Sequence, residues 1–153
     1  MARVLVIHGG HAGGRTAKLV EAVRRGVLAG DEAAELRVLP ALAAGLDDLL
    51  WCQGLLIGTP EHFGYMSGAV KDFFDRTFYP AQGRTEGLPY GLFVSAGNDG
   101  TGTILAVERI VTGYRWTAIA PPVRVVGEPT TEHLASCEEL GATLAAGLSA
   151  GLF

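Results

Sequence analysis

The segment His8-Gly9-Gly10-His11-Ala12-Gly13-Gly14-Arg15-Thr16 sets small residues, two imidazoles, a guanidinium and a hydroxyl between an apolar run and a helical pattern. Free N–H groups at a helix start, at the positive end of its dipole, suit a phosphate. Gly10, Gly13 and Gly14 let the backbone close on phosphate oxygens, Thr16 offers a hydroxyl and Arg15 a charged fork. A dinucleotide fingerprint requires Gly-x-Gly-x-x-Gly, and Gly9-Gly10-His11 breaks it at the second glycine. Gly9 to Thr16 comes closer to the nucleotide-hydrolase pattern Gly-x-x-x-x-Gly-Lys-Thr. There, however, Arg15 replaces the lysine, and the run Leu55–Ile57 leads into Thr59-Pro60 with no carboxylate for magnesium. A glycine-rich turn without a ligand is the plain alternative. His8 and His11 lack a cysteine partner, a helical i, i+4 pairing and a nearby carboxylate, so no metal site is expected.

Two further loops carry polar groups. Pro60-Glu61-His62-Phe63-Gly64 lies between the apolar run Gly54–Gly58 and a helical pattern at Val70, Phe73, Phe74, Thr77 and Phe78. It offers backbone donors, an aromatic wall in Phe63 and a flexible Gly64. His62 is the single catalytic candidate, an imidazole able to hydrogen-bond a ligand's carbonyl; a solvated histidine is the alternative. Ser95-Ala96-Gly97-Asn98-Asp99-Gly100-Thr101 leaves a fourth apolar run, and its small residues permit close backbone approach to a ligand. A plain turn with a Thr101 or Thr103 helix cap would read similarly. No Gly-x-Ser-x-Gly elbow or Ser/His/Asp set is present.

These loops require elements that bring them together. Apolar runs at Val4–Ile7, Glu35–Leu39, Leu55–Ile57, Leu92–Ser95 and Val123–Val126 read as strands. Helical patterns lie between or after them at Thr16–Leu28, Asp47–Cys52, the Phe73 segment, Thr103–Val111 and Glu132–Leu148, the last capped by Thr130 or Thr131. Strict alternation of this kind predicts an α/β, doubly wound parallel sheet with helices on both faces. In open sheets of this class, ligands sit outside the carboxyl ends of the strands, where the strand order reverses.

Gly58-Thr59-Pro60-Glu61-His62-Phe63-Gly64-Tyr65-Met66-Ser67-Gly68, followed by Lys71-Asp72-Phe73-Phe74-Asp75-Arg76, resembles the flavin loop of flavodoxin-like NAD(P)H-dependent FMN reductases and NAD(P)H:quinone oxidoreductases. The likeness follows the element order of most of the chain and is specific from about Thr59 to Asp75. It implies a five-stranded flavodoxin-like sheet in the order 2-1-3-4-5 and FMN as cofactor. The phosphate would lie on His8, Gly10, His11, Gly13, Gly14, Arg15 and Thr16. The ring would run along Pro60, Glu61, His62, Phe63 and Gly64, with Ser95, Ala96, Gly97 and Asn98 at its pyrimidine side. The family often has Ser at the place of His8 and Asn or Ser at that of Arg15, so this loop departs from the pattern. NAD(P)H would be the electron donor and a quinone or other small molecule the acceptor. The alternatives are a flavodoxin-type electron carrier and a flavodoxin-fold binding module without cofactor. Carriers of that type tend to be strongly acidic, which this chain is not.

The whole composition narrows the choice. With 153 residues, 48% hydrophobic and 18% charged, one globular domain over 1–153 is expected. A net charge of -4 and the lack of a basic stripe argue against nucleic acid. The apolar start is too short for a membrane span, and Cys52 and Cys137 form neither a zinc motif nor a disulfide framework, so a reduced, cytoplasmic protein is expected. Mean hydropathy of +0.28, Trp51, Trp116 and Phe78-Tyr79-Pro80 mark candidate surface patches for a homodimer.

Overall fold

The computed structural model describes all 153 residues. In chain order the elements are β1 (Arg3–His8), α1 (Arg15–Gly30), β2 (Glu35–Pro40), α2 (Leu46–Trp51), β3 (Gly54–His62), β4 (Tyr65–Met66), α3 (Gly68–Ala81), β5 (Pro89–Ala96), α4 (Thr101–Tyr114), β6 (Thr117–Ala118), β7 (Val123–Val126) and α5 (Thr131–Ser149). Period-two side-chain alternation in the central strands makes two cores. Leu5 and Ile7 of β1, Leu55 and Ile57 of β3 and Leu92 and Val94 of β5 face α2, α3 and α4. Val4, Val6, Leu56 and Phe93 face α1 and α5. Strands buried on both faces must be apolar throughout, which is why these runs carry no alternating polar residues.

The strands lie in the order β2-β1-β3-β5, with β6 and β7 sharing the position beyond β5. This is the flavodoxin-like order expected above. β6 pairs with Pro89 and Tyr90 at the start of β5, and β7 pairs with Phe93 to Ala96 at its end. The edge strand is broken between them because Pro121 and Pro122 have no N–H to donate to a ladder. β3 extends well past Ile57. Its last residues pair antiparallel with β4, Glu61 opposite Met66 and His62 opposite Tyr65. The two residues between them, Phe63 and Gly64, have φ of 54° and 75°. Positive φ at both central positions is the signature of the tight hairpin turn whose twist matches its strands. This small hairpin is absent from the sequence expectation.

Two of the aromatic patches expected at the surface lie elsewhere. Trp116 is buried, its indole Nε1 donates to Thr85 Oγ1 at 3.0 Å, and its ring lies 4.2 Å from that of Tyr114. Trp51 is half-buried beneath the Arg37 guanidinium, 4.0 Å from the ring centroid. Phe78 packs edge-on against Tyr114 at 5.1 Å, which leaves Tyr79 as the exposed aromatic of that segment. Burial also pushes the thiols of Cys52 and Cys137 up to about 12, so both remain protonated at neutral pH. No helix is long and apolar enough to cross a membrane.

α1 and α5 lie unusually close. A Cβ on Gly26 would meet the Glu138 carbonyl oxygen at 2.0 Å, and one on Gly141 would meet the Val23 carbonyl oxygen at 2.4 Å. Backbone atoms cannot yield as a side-chain tip can, so these two positions set the helix separation. Gly141→Ala is therefore expected to lower stability by about 1–3 kcal/mol through overpacking, in spite of alanine's better helix propensity. Urea unfolding, read as a fall in midpoint at unchanged slope, checks it.

Candidate functional site

The loops after β1, β3 and β5 all leave the same edge of the sheet. Between them lies a cleft of about 630 Å³. The first loop lines it with Gly9, Gly10, His11, Gly13, Gly14, Arg15 and Thr16. The second contributes Pro60, Glu61 and His62, and the third Ser95, Ala96 and Gly97. Four of the expected site residues stand outside this lining: His8, Phe63, Gly64 and Asn98.

The first loop is tightly specified. A Cβ on Gly10 would lie 2.6 Å from Thr16 Cβ, so the chain passes directly over the start of α1 only as glycine. Gly13 has φ of +78°, the left-handed region. Gly14 caps α1 without a side-chain hydrogen bond, and the first turn holds no acidic residue. The opening N–H groups of the helix therefore face the cleft without an intrahelical acceptor. Thr16 is 4% exposed and Ser95 6%, and neither hydroxyl has a hydrogen-bond partner within the chain, while both residues line the cleft. Unspent donors on a small-residue surface suit an anion with several acceptor oxygens. His8 belongs to the end of β1. Half-buried there, its imidazole titrates below the usual histidine range because burial disfavours the charged form.

The second and third loops are bound to each other. Thr59 Oγ1 accepts from Ser67 N at 3.0 Å and donates to Pro60 O at 2.8 Å, closing the base of the β3–β4 hairpin. Ser67 Oγ then caps α3 by accepting from Val70 N. At the hairpin arm, Glu61 Oε2 accepts from Gly100 N at 2.8 Å and from Thr103 Oγ1 at 3.4 Å. The Glu61 carboxylate thus occupies the amino end of α4, where negative charge is favoured. Gly102 lies against the hairpin turn, since a Cβ there would meet Gly64 O at 2.6 Å. The tight turn raises Phe63 to the tip, where its side chain is fully exposed instead of forming a wall of the cleft. On the far side, Arg124 Nη1 donates to Asp99 O at 2.6 Å and holds the third loop from β7. Asn98 remains on the exposed outer part of that loop.

A fourth loop, after β7, enters the site without having been expected there. Glu128 lines the cleft and forms ion pairs with Lys18, in the first turn of α1, and with Arg15 Nε at 3.4 Å. The hydrogen bond from Lys18, then the charges of Lys18 and Arg15, hold the Glu128 carboxyl below the usual carboxylate range. The signal was available in the sequence: Val126-Gly127-Glu128 ends the fifth predicted strand, at the same edge of the sheet as the other three loops. No group of three or more His, Cys, Asp or Glu side chains is placed to hold a metal ion.

The family model of NADPH-dependent FMN reductases matches residues 2–130. The chain belongs to that family. Among its relatives is a flavodoxin of Aquifex aeolicus (strain VF5), 32% identical over 162 residues, covering 95% of this chain and 86% of that protein. An NAD(P)H dehydrogenase (quinone) of Acidithiobacillus ferrooxidans (strain ATCC 53993 / BNL-5-31) is 35% identical over 95 residues, 61% of this chain and 43% of the relative. Of solved structures, a flavodoxin from the domain Archaea superposes with a TM-score of 0.84 at 20% identity, covering 96% of this chain and 99% of the other. The last likeness bears on the fold alone. This FMN-reductase family member therefore has its cleft at the strand-order reversal between β1 and β3, with Glu61 joining two of its walls.

Glu61→Ala is expected to loosen the hairpin from α4. The lost charge-assisted bond to a partly buried amide is worth about 1.5–3 kcal/mol. Amide hydrogen exchange checks this: Gly100 N–H should exchange much faster in the variant, while amides of β1 keep their protection.

Proposed function

We propose that this chain is an FMN-dependent oxidoreductase that takes reducing equivalents from NAD(P)H and passes them to a quinone or other small acceptor. The observation that carries the reading is the convergence at one cleft of an uncapped α1 amino end, the unpartnered Thr16 and Ser95 hydroxyls and a run of small residues. Bound FMN would supply the redox chemistry, accepting hydride from nicotinamide and releasing it to the acceptor.

The chain's own part is to bind, orient and leave room. On this reading the free N–H groups of α1, with Thr16 and the Gly10–Gly14 backbone, take the phosphate. Pro60, Glu61 and His62 line one side of the ring, and Ser95, Ala96 and Gly97 the other. Small residues in the third loop and the backbone of the second leave a slot for a planar group. The bond from Glu61 to Gly100 keeps the two sides at constant separation, and near-contact orientation is what a hydride transfer needs. His62, exposed at the cleft, hydrogen-bonds a carbonyl of the ring or of the acceptor. The protein works on the same reading as one domain in the cytoplasm, and as a homodimer.

The Aquifex flavodoxin, matching 95% of this chain, supports a second reading as an electron carrier. Turnover separates the two. Protein saturated with FMN is expected to oxidise NADH or NADPH in the presence of a quinone, with a catalytic rate well above that of free FMN. Tight, roughly one-to-one FMN binding without NAD(P)H oxidation with any quinone would favour the carrier; no binding at high micromolar FMN would remove both readings.

A further inference from the structure

α1 opens with charges of the wrong sign for its dipole. Arg15 and Lys18 occupy the first turn, no acidic residue accompanies them, and no side chain caps the helix. Cations at this end are unfavourable by themselves. Their compensation comes from a distant part of the chain. Glu128 follows β7 on a loop whose Gly127 N donates to Ala96 O at 2.8 Å, so the loop is fastened to the cleft wall. From there the Glu128 carboxylate meets both Lys18 and Arg15, with side-chain exposures of 61%, 54% and 48%. Ion pairs this exposed contribute little stability, so exchanging one partner for another is cheap.

We propose that Glu128 is the resident counter-ion of Arg15 and Lys18 and is displaced from both when the phosphate group enters. The inference rests on the reading of this cleft as an FMN site. A phosphate monoester carries close to two negative charges and three acceptor oxygens, against one charge and two oxygens for a carboxylate. It can engage both cations and, unlike Glu128, also reach the open N–H groups of α1. Thr16, a residue only 4% exposed, lies in the same lining, and its hydroxyl, open to the cleft and without a partner in the chain, supplies a further donor. Glu128 therefore lowers phosphate affinity in proportion to its hold on the two cations, and sets how strongly the site distinguishes FMN from riboflavin.

Titration of wild type, Glu128→Gln and Lys18→Met with FMN and with riboflavin, followed by flavin fluorescence, tests this. Melting curves with inorganic phosphate accompany the titrations. Glu128→Gln is expected to bind FMN about three- to tenfold more tightly with riboflavin affinity unchanged, the range expected from freeing one or two exposed pairs. Lys18→Met should weaken FMN alone, and phosphate should raise the Tm of Glu128→Gln more than that of wild type. Weaker FMN binding by Glu128→Gln, or an equal change for FMN and riboflavin, would overturn the exchange while leaving FMN as the cofactor. If neither flavin binds wild type yet phosphate stabilises Glu128→Gln more, the cofactor reading falls and the exchange at an anion site stands.

Discussion

Two parallel backbone ladders flank β1, one to β2 and one to β3, and the site depends on that arrangement. β1 pairs with β2 from Arg3 to His8 and with β3 from Val4 to His8. Because parallel crossovers are right-handed, the chain leaving β1 passes over one face of the sheet and the chain leaving β3 over the other. Their first residues beyond the strands diverge and open a crevice. β5, paired with β3 from Tyr90 to Ser95, carries a third loop to the same edge. No side chain in the cleft is needed to create it; the ladders do so, and the loops furnish it.

Two glutamates in that furniture are used differently, and environment is the reason. Glu61 lies at the amino end of α4 and accepts from a main-chain amide, so it behaves as part of the backbone hydrogen-bonding system. Glu128 is exposed and faces two long, half-exposed cations that form no other ion pair. A carboxylate on a fixed amide is costly to remove, while one among solvated ammonium and guanidinium groups is replaceable. The first therefore serves geometry and the second serves charge.

Packing places a limit on how far these parts can move. α1 is held against α5 by glycines that bring helix backbones together, and α1 is also the element whose amino end lines the cleft. The hairpin is fixed at its base by Thr59 and along its arm by Glu61. The cleft is thus walled by anchored backbone, and the half-exposed side chains of Arg15, Lys18 and Glu128 meet at its rim.

Apolar periodicity in the chain was enough to determine the alternation of strands and helices, and the glycines and hydroxyl of the first loop were enough to single out a segment that lines the cleft. Both are local properties, since a strand needs its own apolar run and a helix start its own free amides. The resemblance over Thr59 to Asp75 led to the same family as the full comparison. What local pattern could not decide is which side chain points where. Phe63 reads as a wall but is turned outward by a hairpin whose strands pair only once β3 has outrun the sheet. His8 lies beside the glycines in sequence yet is set aside at the end of β1. Trp116 carries no mark to separate a core ring from a surface one until Tyr114, Thr85 and Phe74 surround it. Glu128 lies 110 residues from Lys18 along the chain, and only the position of β7 beside β5 joins them. Pairings that close such long loops depend on the whole sheet being assembled, so they belong to tertiary structure and not to any segment of the sequence.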